Sequence, residues 1–119
     1  MISQNANFSI STYDDIYVLC LTNNKILNES TIIQINKDIL DLIEGKENIK
    51  IVINFKYVKY LSSSVLSKLV AVQKKIVSLN GKMVLCSMDP ILIRIFEITQ
   101  LHKFFNIVED EKGAISLLK

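Results

Sequence analysis

The segment NFKYVKYLSSSVL, residues 54–66, joins a predicted strand to a predicted helix and contains three consecutive serines. The strand, Ile49–Phe55, is a nearly continuous apolar run, which is typical of a strand covered on both faces. Hydroxyl groups at the start of a helix accept hydrogen bonds from free backbone N–H groups. They also lie where a helix favours added negative charge. The serines are therefore either helix caps, which is the ordinary use of such residues, or the site of a phosphorylation switch.

The residues that precede this segment predict two strands and a helix. Phe8–Ser11 alternates apolar and polar side chains and predicts an edge strand, whereas Ile16–Leu21 predicts a stronger strand. A helix is predicted over residues 30–44, with Asn28 or Ser30 as its cap, because isoleucines and leucines recur there at helical spacing.

The residues that follow the serines predict an amphipathic helix over 64–79, since apolar side chains recur at steps of four and three. These side chains are Val65, Leu69, Val72, Ile76 and Leu79. A turn at Asn80-Gly81 then leads to a strand over Lys82–Ser87. Asp89 is predicted to cap a third helix that has Pro90 at its first position.

A short strand, Asn106–Val108, and a last helix, Asp110–Leu118, complete the predicted chain. Alternation of strands and helices predicts an α/β fold with a mostly parallel or mixed sheet of about four to five strands and about four helices. We expect residues 1–119 to form a single domain. Ligands and partners approach such sheets where strands lead into helices, and residues 56–64 occupy that kind of edge.

Composition restricts the classes of function. The chain has 119 residues, half of them hydrophobic, and a formal net charge of +2. Its lysines are scattered rather than clustered, so binding to nucleic acid is not expected. No apolar run reaches membrane-spanning length, and the first residues lack the features of a signal peptide. We therefore expect a cytoplasmic protein without direct membrane insertion.

Residues able to perform chemistry are few and isolated. Cys20 and Cys86 lie in predicted strands, without CxxC spacing and without a nearby histidine. They are expected to be reduced, buried packing residues rather than metal ligands. His102 has no carboxylate or thiol at a useful spacing. Because the sequence also lacks a Gly-rich phosphate loop and a nucleophile–base pair, we predict that the protein is not an enzyme and needs neither metal nor cofactor.

The order and local pattern of these elements resemble a STAS domain, the fold of bacterial anti-sigma factor antagonists. The resemblance runs from Phe8 to Leu118 and includes the apolar strand that ends in an amide, the loop, the serines and the helix. Residues 80–86, NGKMVLC, resemble the family's glycine turn and following strand, and residues 96–101, FEITQL, resemble its "vfeltgl" segment. The resemblance implies the STAS-type βα superhelix.

Members of that family typically carry the signature Asp-Ser-Ser-Gly-Leu, whose first serine is phosphorylated by an anti-sigma factor with serine kinase activity. Aligned with this signature, Ser63 takes the phosphoacceptor position and Ser64 that of the second serine. Replacing Ser64 is expected chiefly to affect helix capping. Ser62 replaces the acidic residue and Val65 replaces the glycine, which predicts weaker partner contacts and an obstructed backbone approach. The implied partner surface comprises Ser62, Ser64, Val65, Lys59, Tyr60 and Lys68.

The resemblance implies a non-catalytic regulatory module that is switched when a partner anti-sigma factor kinase phosphorylates Ser63, and is reset by a serine phosphatase. Lys56, Lys59 and Lys68 either pair with a phosphate or an acidic partner or remain solvated. Tyr57 and Tyr60 either anchor a partner or pack against the sheet edge. Two other functions stay open: an accessory subunit of a membrane transporter for lipids or anions, and a sensor of a nucleotide or small molecule. A weak homodimer is a further option.

Overall fold

The computed structural model describes residues 2–4, 8–22, 25–26 and 29–119, in which strands and helices alternate. In chain order the elements are β1 (Ile2–Gln4), β2 (Phe8–Tyr13), β3 (Ile16–Leu21), β4 (Lys25–Ile26), α1 (Glu29–Ile43), β5 (Lys50–Asn54), β6 (Tyr60–Leu61), α2 (Ser63–Ser78), β7 (Lys82–Cys86), α3 (Pro90–Ile98), a 3-10 helix (Leu101–Lys103), β8 (Asn106–Val108) and α4 (Glu111–Leu118). The predicted α/β class is confirmed, and the described residues contain the four predicted α-helices.

Six strands form one mixed sheet in the order β1-β2-β3-β5-β7-β8. β1, β2 and β3 are antiparallel neighbours, whereas β3, β5, β7 and β8 are parallel because a helix or a long connection separates each from the next. β4 and β6 pair separately as a small parallel sheet. The prediction that Phe8–Ser11 is an edge strand was wrong, because β1 pairs with the outer side of β2.

Apolar cores cover both faces of the large sheet. The larger core lies between one face and helices α1, α2 and α3, and the smaller core lies between the opposite face and α4. β5 contributes to both, because Ile51 and Ile53 face the larger core while Val52 faces the smaller one, and all three are fully buried. The continuous apolar run in the sequence follows from this double burial.

Helix α2 packs against the sheet through the predicted apolar stripe. Val65, Leu69, Val72 and Ile76 are buried, and Leu79 is half-buried at the end of the helix. Gly81 follows, and a Cβ atom there would lie 2.7 Å from the Ile49 carbonyl oxygen. The close approach of these two backbones requires glycine at this turn.

Acidic residues begin the later helices, as the sequence predicted for α3. Asp89 accepts a hydrogen bond from the Ile91 amide at 2.9 Å, and Pro90 occupies the first position of the helix. Asp110 accepts from the Gly113 amide at 2.8 Å at the start of α4. For α1, the predicted cap Asn28 lies outside the described residues, and Ser30 lies inside the helix rather than before it. None of the described helices is both long and apolar enough to cross a membrane.

Candidate functional site

The candidate site is the connection from β5 to α2, and Asn54 fixes where it begins. Asn54 ends β5 with its side chain only 7% exposed. Its Oδ1 accepts a hydrogen bond from the Lys56 amide at 2.8 Å, and its Nδ2 donates to Glu111 Oε1 at 3.1 Å. Both the oxygen and the nitrogen of this side-chain amide therefore have hydrogen-bond partners, as buried polar groups require. The amide sets the first turn of the loop and ties it to the start of α4.

The loop then runs through β6, which ends one residue before the three serines. β6 pairs with β4, so that Tyr60 lies opposite Lys25 and Leu61 opposite Ile26. Leu61 is 8% exposed and packs into the larger core. The backbone immediately before the serines is therefore held by a strand pair and by a buried side chain, and α2 begins from a fixed position.

Ser62 caps helix α2. Its backbone is extended, with φ −82° and ψ 164°, and its Oγ accepts a hydrogen bond from the Val65 amide at 3.4 Å. The Ser62 and Ser64 hydroxyl groups lie 3.1 Å apart. The expectation that Ser64 provides the cap was wrong, because the helix begins at Ser63 and the residue before a helix is the one placed to cap it.

Ser63 is the first residue of α2 and its side chain is exposed. Amide groups in the first turn of a helix have no acceptor within the helix, so this end carries a partial positive charge. The Ser67 hydroxyl donates a hydrogen bond to the Ser63 backbone carbonyl oxygen at 3.4 Å, and this contact does not involve the Ser63 hydroxyl group. An exposed hydroxyl in this position is accessible to a modifying enzyme, and the helix end tolerates an added anion.

Val65 does not belong to the exposed surface. Its side chain is 1% exposed and lies in the larger core. The prediction that Val65 contacts a partner and obstructs a close backbone approach was therefore wrong, because the β-branched side chain points into the protein. Sequence alignment places the residue at a family position but does not say which way its side chain points.

The lysines near the serines differ in their contacts. Lys59 Nζ lies 3.5 Å from Asp89 Oδ2, which joins the loop to the start of α3. Lys56 Nζ lies over the Tyr57 ring, 5.4 Å from its centroid. Lys68 is half-buried on α2. The Lys59–Asp89 pair was not predicted, because it joins residues 30 positions apart that the sequence gives no reason to connect.

Tyr57 and Tyr60 are 51% and 52% exposed, so about half of the surface of each residue is open to solvent. Tyrosines are enriched among the residues that dominate protein interfaces. Tyr60 and Lys59 are adjacent and both are exposed. The sequence analysis placed them in the implied partner surface together with the serines.

The remaining reactive side chains lie away from the serines or are inert. Cys86 is buried and Cys20 is half-buried. Burial raises the pKa of the Cys86 thiol to about 11 and also raises the pKa of Cys20. His102 is exposed, with Nδ1 3.4 Å from the Phe96 carbonyl oxygen. Within the described ranges, no three His, Cys, Asp or Glu side chains are grouped as a metal site would need.

Comparison with known proteins identifies the family. The family model for STAS domains matches residues 7–114. A candidate anti-sigma factor antagonist from Thermotoga maritima is 26% identical over 93% of this chain and 93% of its own, with a TM-score of 0.81. An anti-sigma factor antagonist (STAS) domain protein from Planctomyces limnophilus is 19% identical over 95% of this chain and 98% of its own, with a TM-score of 0.82.

The phosphorylated form of the Bacillus cell fate determinant SpoIIAA is also similar in fold. It is 19% identical over 94% of this chain and 99% of its own, with a TM-score of 0.70. The family model covers most of the chain, and the structures agree over nearly their full lengths. This protein therefore belongs to the STAS domain family and has the fold of anti-sigma factor antagonists.

Proposed function

We propose that this protein is a non-catalytic regulatory module that binds an anti-sigma factor with serine kinase activity while Ser63 is unmodified. The observation that carries the proposal is the exposed Ser63 side chain at the start of α2, between the capping Ser62 and the half-buried Ser64. Of the residues in the signature region, Ser63 combines exposure with the phosphoacceptor position of the family. Binding would release a sigma factor or another output protein from its inhibitor.

Phosphorylation of Ser63 would end this interaction. The Ser63 oxygen would attack the γ-phosphorus of ATP bound to the partner, ADP would leave, and the hydroxyl proton would pass to the kinase. The product carries an added charge of about −1.5 to −2. At a helix N-terminus that charge is favourable by roughly 0.3–1 kcal/mol, so the fold should persist. The phosphate would act through repulsion and bulk at the contact surface.

A separate serine phosphatase would restore the hydroxyl by hydrolysis and release inorganic phosphate. Lys59, Tyr60, Lys68, Ser62 and Ser64 would form the surrounding contact surface. Asp89 belongs with them, because it already holds Lys59 at 3.5 Å and would compete with a phosphate for that cation. The phosphorylated SpoIIAA structure gives a related fold in which the modified state is compatible with folding.

The test uses the anti-sigma factor kinase encoded in the same genome and compares its affinity for wild type, Ser63→Ala and Ser63→Asp by calorimetry. Ser63→Ala should stay bound whether or not ATP is present. Ser63→Asp should bind more weakly, although one carboxylate imitates a phosphate poorly. Ser67→Ala, an exposed serine one turn further along α2, is the matched control and should behave as wild type.

A second candidate is an accessory subunit of a lipid or anion transporter, which is favoured by the hydroxyl of Ser62 where the family signature has an acid. Equal affinities for all three Ser63 forms, with no phosphate incorporated, would reject the switch and favour this role. A sensor of a nucleotide or small molecule is a third candidate, and stoichiometric ligand binding by calorimetry would favour it.

A further inference from the structure

The outer edge of β8 is open. β8 is the last strand of the sheet, and no other strand in the described residues pairs with the side opposite β7. The pairing continues one residue beyond the strand, since the Glu109 carbonyl oxygen accepts from the Ser87 amide at 3.1 Å. Short length, charged side chains, Lys above all, and Pro are means of protecting a strand edge. β8 has three residues and is followed by Glu109, but residues 106–109, NIVE, contain neither Lys nor Pro.

A groove of about 660 Å³ lies along this edge. Its apolar lining comprises Met88, Ile93, Phe105, Ile107, Val108 and Leu117. Ile93 comes from α3 on one face of the sheet and Leu117 from α4 on the other, and both are exposed. Ile107 packs against the larger core, and Val108 packs against the smaller one. The edge is therefore flanked by apolar side chains on both faces, as an added strand with alternating side chains requires.

The charged lining residues of the groove are acidic. Glu97 on α3 and Glu109 after β8 are both exposed. No Lys or Arg is found among the described residues that line the groove, and the remaining titratable residue is His102. A ligand that carries positive charges would therefore complement the groove.

We propose that the open edge of β8 binds an extended peptide from a partner protein, with apolar residues in alternation and Lys or Arg at its ends. Main-chain hydrogen bonds to β8 would supply affinity, and side chains packed against Ile93 and Leu117 would supply selectivity. A second copy of this chain is a poorer occupant, because pairing two such edges would bring Glu97 and Glu109 of both copies into one groove. The proposal does not depend on modification of Ser63.

The test is a nuclear magnetic resonance titration of the full chain with the acetylated and amidated peptide KVTVK. Saturable shifts of the amide resonances of residues 106–109 are expected. The matched acidic peptide, EVTVE, should bind at least about tenfold more weakly. Two N-methylated versions of KVTVK, one modified at the threonine and one at both valines, remove alternate main-chain donors. At least one of them should lose binding if the peptide adds as a strand.

Reversing the charge of the groove provides the second part of the test. The double variant Glu97→Lys with Glu109→Lys changes two exposed side chains and should prefer EVTVE over KVTVK. Glu44→Lys, an exposed glutamate at the end of α1, is the matched control and should keep the preference of wild type.

Four results would overturn the proposal. They are the absence of saturable shifts up to the solubility limit of KVTVK, shifts centred on other residues, binding of both N-methylated peptides as tight as that of KVTVK itself, and an unchanged preference in the double variant. Concentration-dependent shifts of residues 106–109 without any peptide would instead assign the edge to a second copy of the chain.

Discussion

Ser62, Ser63 and Ser64 are adjacent in the chain and have three different environments. Ser62 precedes the helix and accepts from the Val65 amide, Ser63 is exposed, and Ser64 is half-buried with its hydroxyl against that of Ser62. Because a helix turns by about 100° per residue, neighbouring side chains at its start point in different directions. One serine can therefore be modified without removing the cap that a second one provides.

Ser62→Ala should lower the free energy of unfolding by about 1 kcal/mol, because it removes the acceptor for an amide in the first turn of α2. Ser63→Ala, the matched control one residue further along, should change it by less than roughly 0.5 kcal/mol. Urea denaturation of both variants and of Ser64→Ala measures the differences. A larger loss for Ser64→Ala than for Ser62→Ala would place the cap at Ser64 after all.

Cys20 and Cys86 should differ in reactivity. The Cys86 side chain is fully buried, whereas Cys20 is half-buried, so a thiol reagent should label Cys20 first and Cys86 only on unfolding. Since burial raises the pKa of Cys86 from 9.0 to about 11, the folded protein keeps a proton that the unfolded chain loses.

The stability that Cys86 contributes through this proton is therefore complete below pH 9 and decreases as the pH rises from 9 to 11. Urea midpoints measured between pH 9 and pH 11 test whether the stability decreases as the pH rises. Cys86→Ala should show a shallower decline than wild type, and an equal or steeper decline would contradict the assignment.

At the residue scale the sequence could indicate the serine cluster but not assign its members. A shift of one residue in the start of a helix changes which serine caps it, and periodicity does not define the boundary that closely. Val65 was misassigned for a related reason. Its position in the family signature suggested a surface residue, whereas its place in the apolar stripe of α2 buries it.

At the scale of elements, α2 connects the site to the core. Its first turn carries the serines, and its apolar stripe packs against the sheet, so the site is held by the burial of residues further along the same helix. The loop before it is held at Asn54, at the β4–β6 pair and at the contact between Lys59 and Asp89. A partner would therefore meet a surface whose backbone is already ordered, which reduces the entropy lost on binding.

Two valines on α2 give a matched test of this packing. Val72 is 2% exposed and Val77 is 57% exposed. Val72→Ala should lower the free energy of unfolding by about 2 kcal/mol, through lost burial and the cavity left behind. Val77→Ala should change it by less than roughly 0.5 kcal/mol. Similar losses in chemical denaturation would mean that α2 is rotated from the position described.

The longer elements were predictable, and the shortest ones were not. Helix α2 and strand β5 show clear periodic or continuous apolar patterns, whereas β1, β4 and β6 have only two or three residues each. A pattern of that length carries no periodicity, and its pairing depends on distant parts of the chain. Phe8–Ser11, in β2, was wrongly predicted to be an edge strand because β1, which pairs with β2, could not be recognised.

At the scale of the whole molecule, one sheet separates two cores that share the strands β3, β5 and β7. Each strand places alternate residues in each core, so neither core can be lost without disturbing the other. The formal net charge of +2 also means that one phosphate would bring the molecule close to neutrality. A single modification is thus a large fraction of the total charge.

Shared strands predict that both cores unfold together. Denaturation followed by far-ultraviolet circular dichroism and by exposure of the Cys86 thiol, which lies in the smaller core, should give the same midpoint. Leu118→Ala, in α4, should lower both midpoints equally. If the Cys86 thiol became exposed at a clearly lower denaturant concentration than the loss of the circular dichroism signal, α4 would detach independently.

The central claim is that Ser63 accepts a phosphate that controls partner binding. Site-resolved mass spectrometry of the protein purified from its native cells tests this most directly, with samples taken under conditions that do and do not activate the output. The account predicts phosphate on Ser63 whose occupancy changes between the conditions, and none on Ser62, whose hydroxyl is engaged in the cap. Phosphate on Ser62 or Ser64 with Ser63 unmodified, or no phosphate on any of the three under either condition, would contradict it.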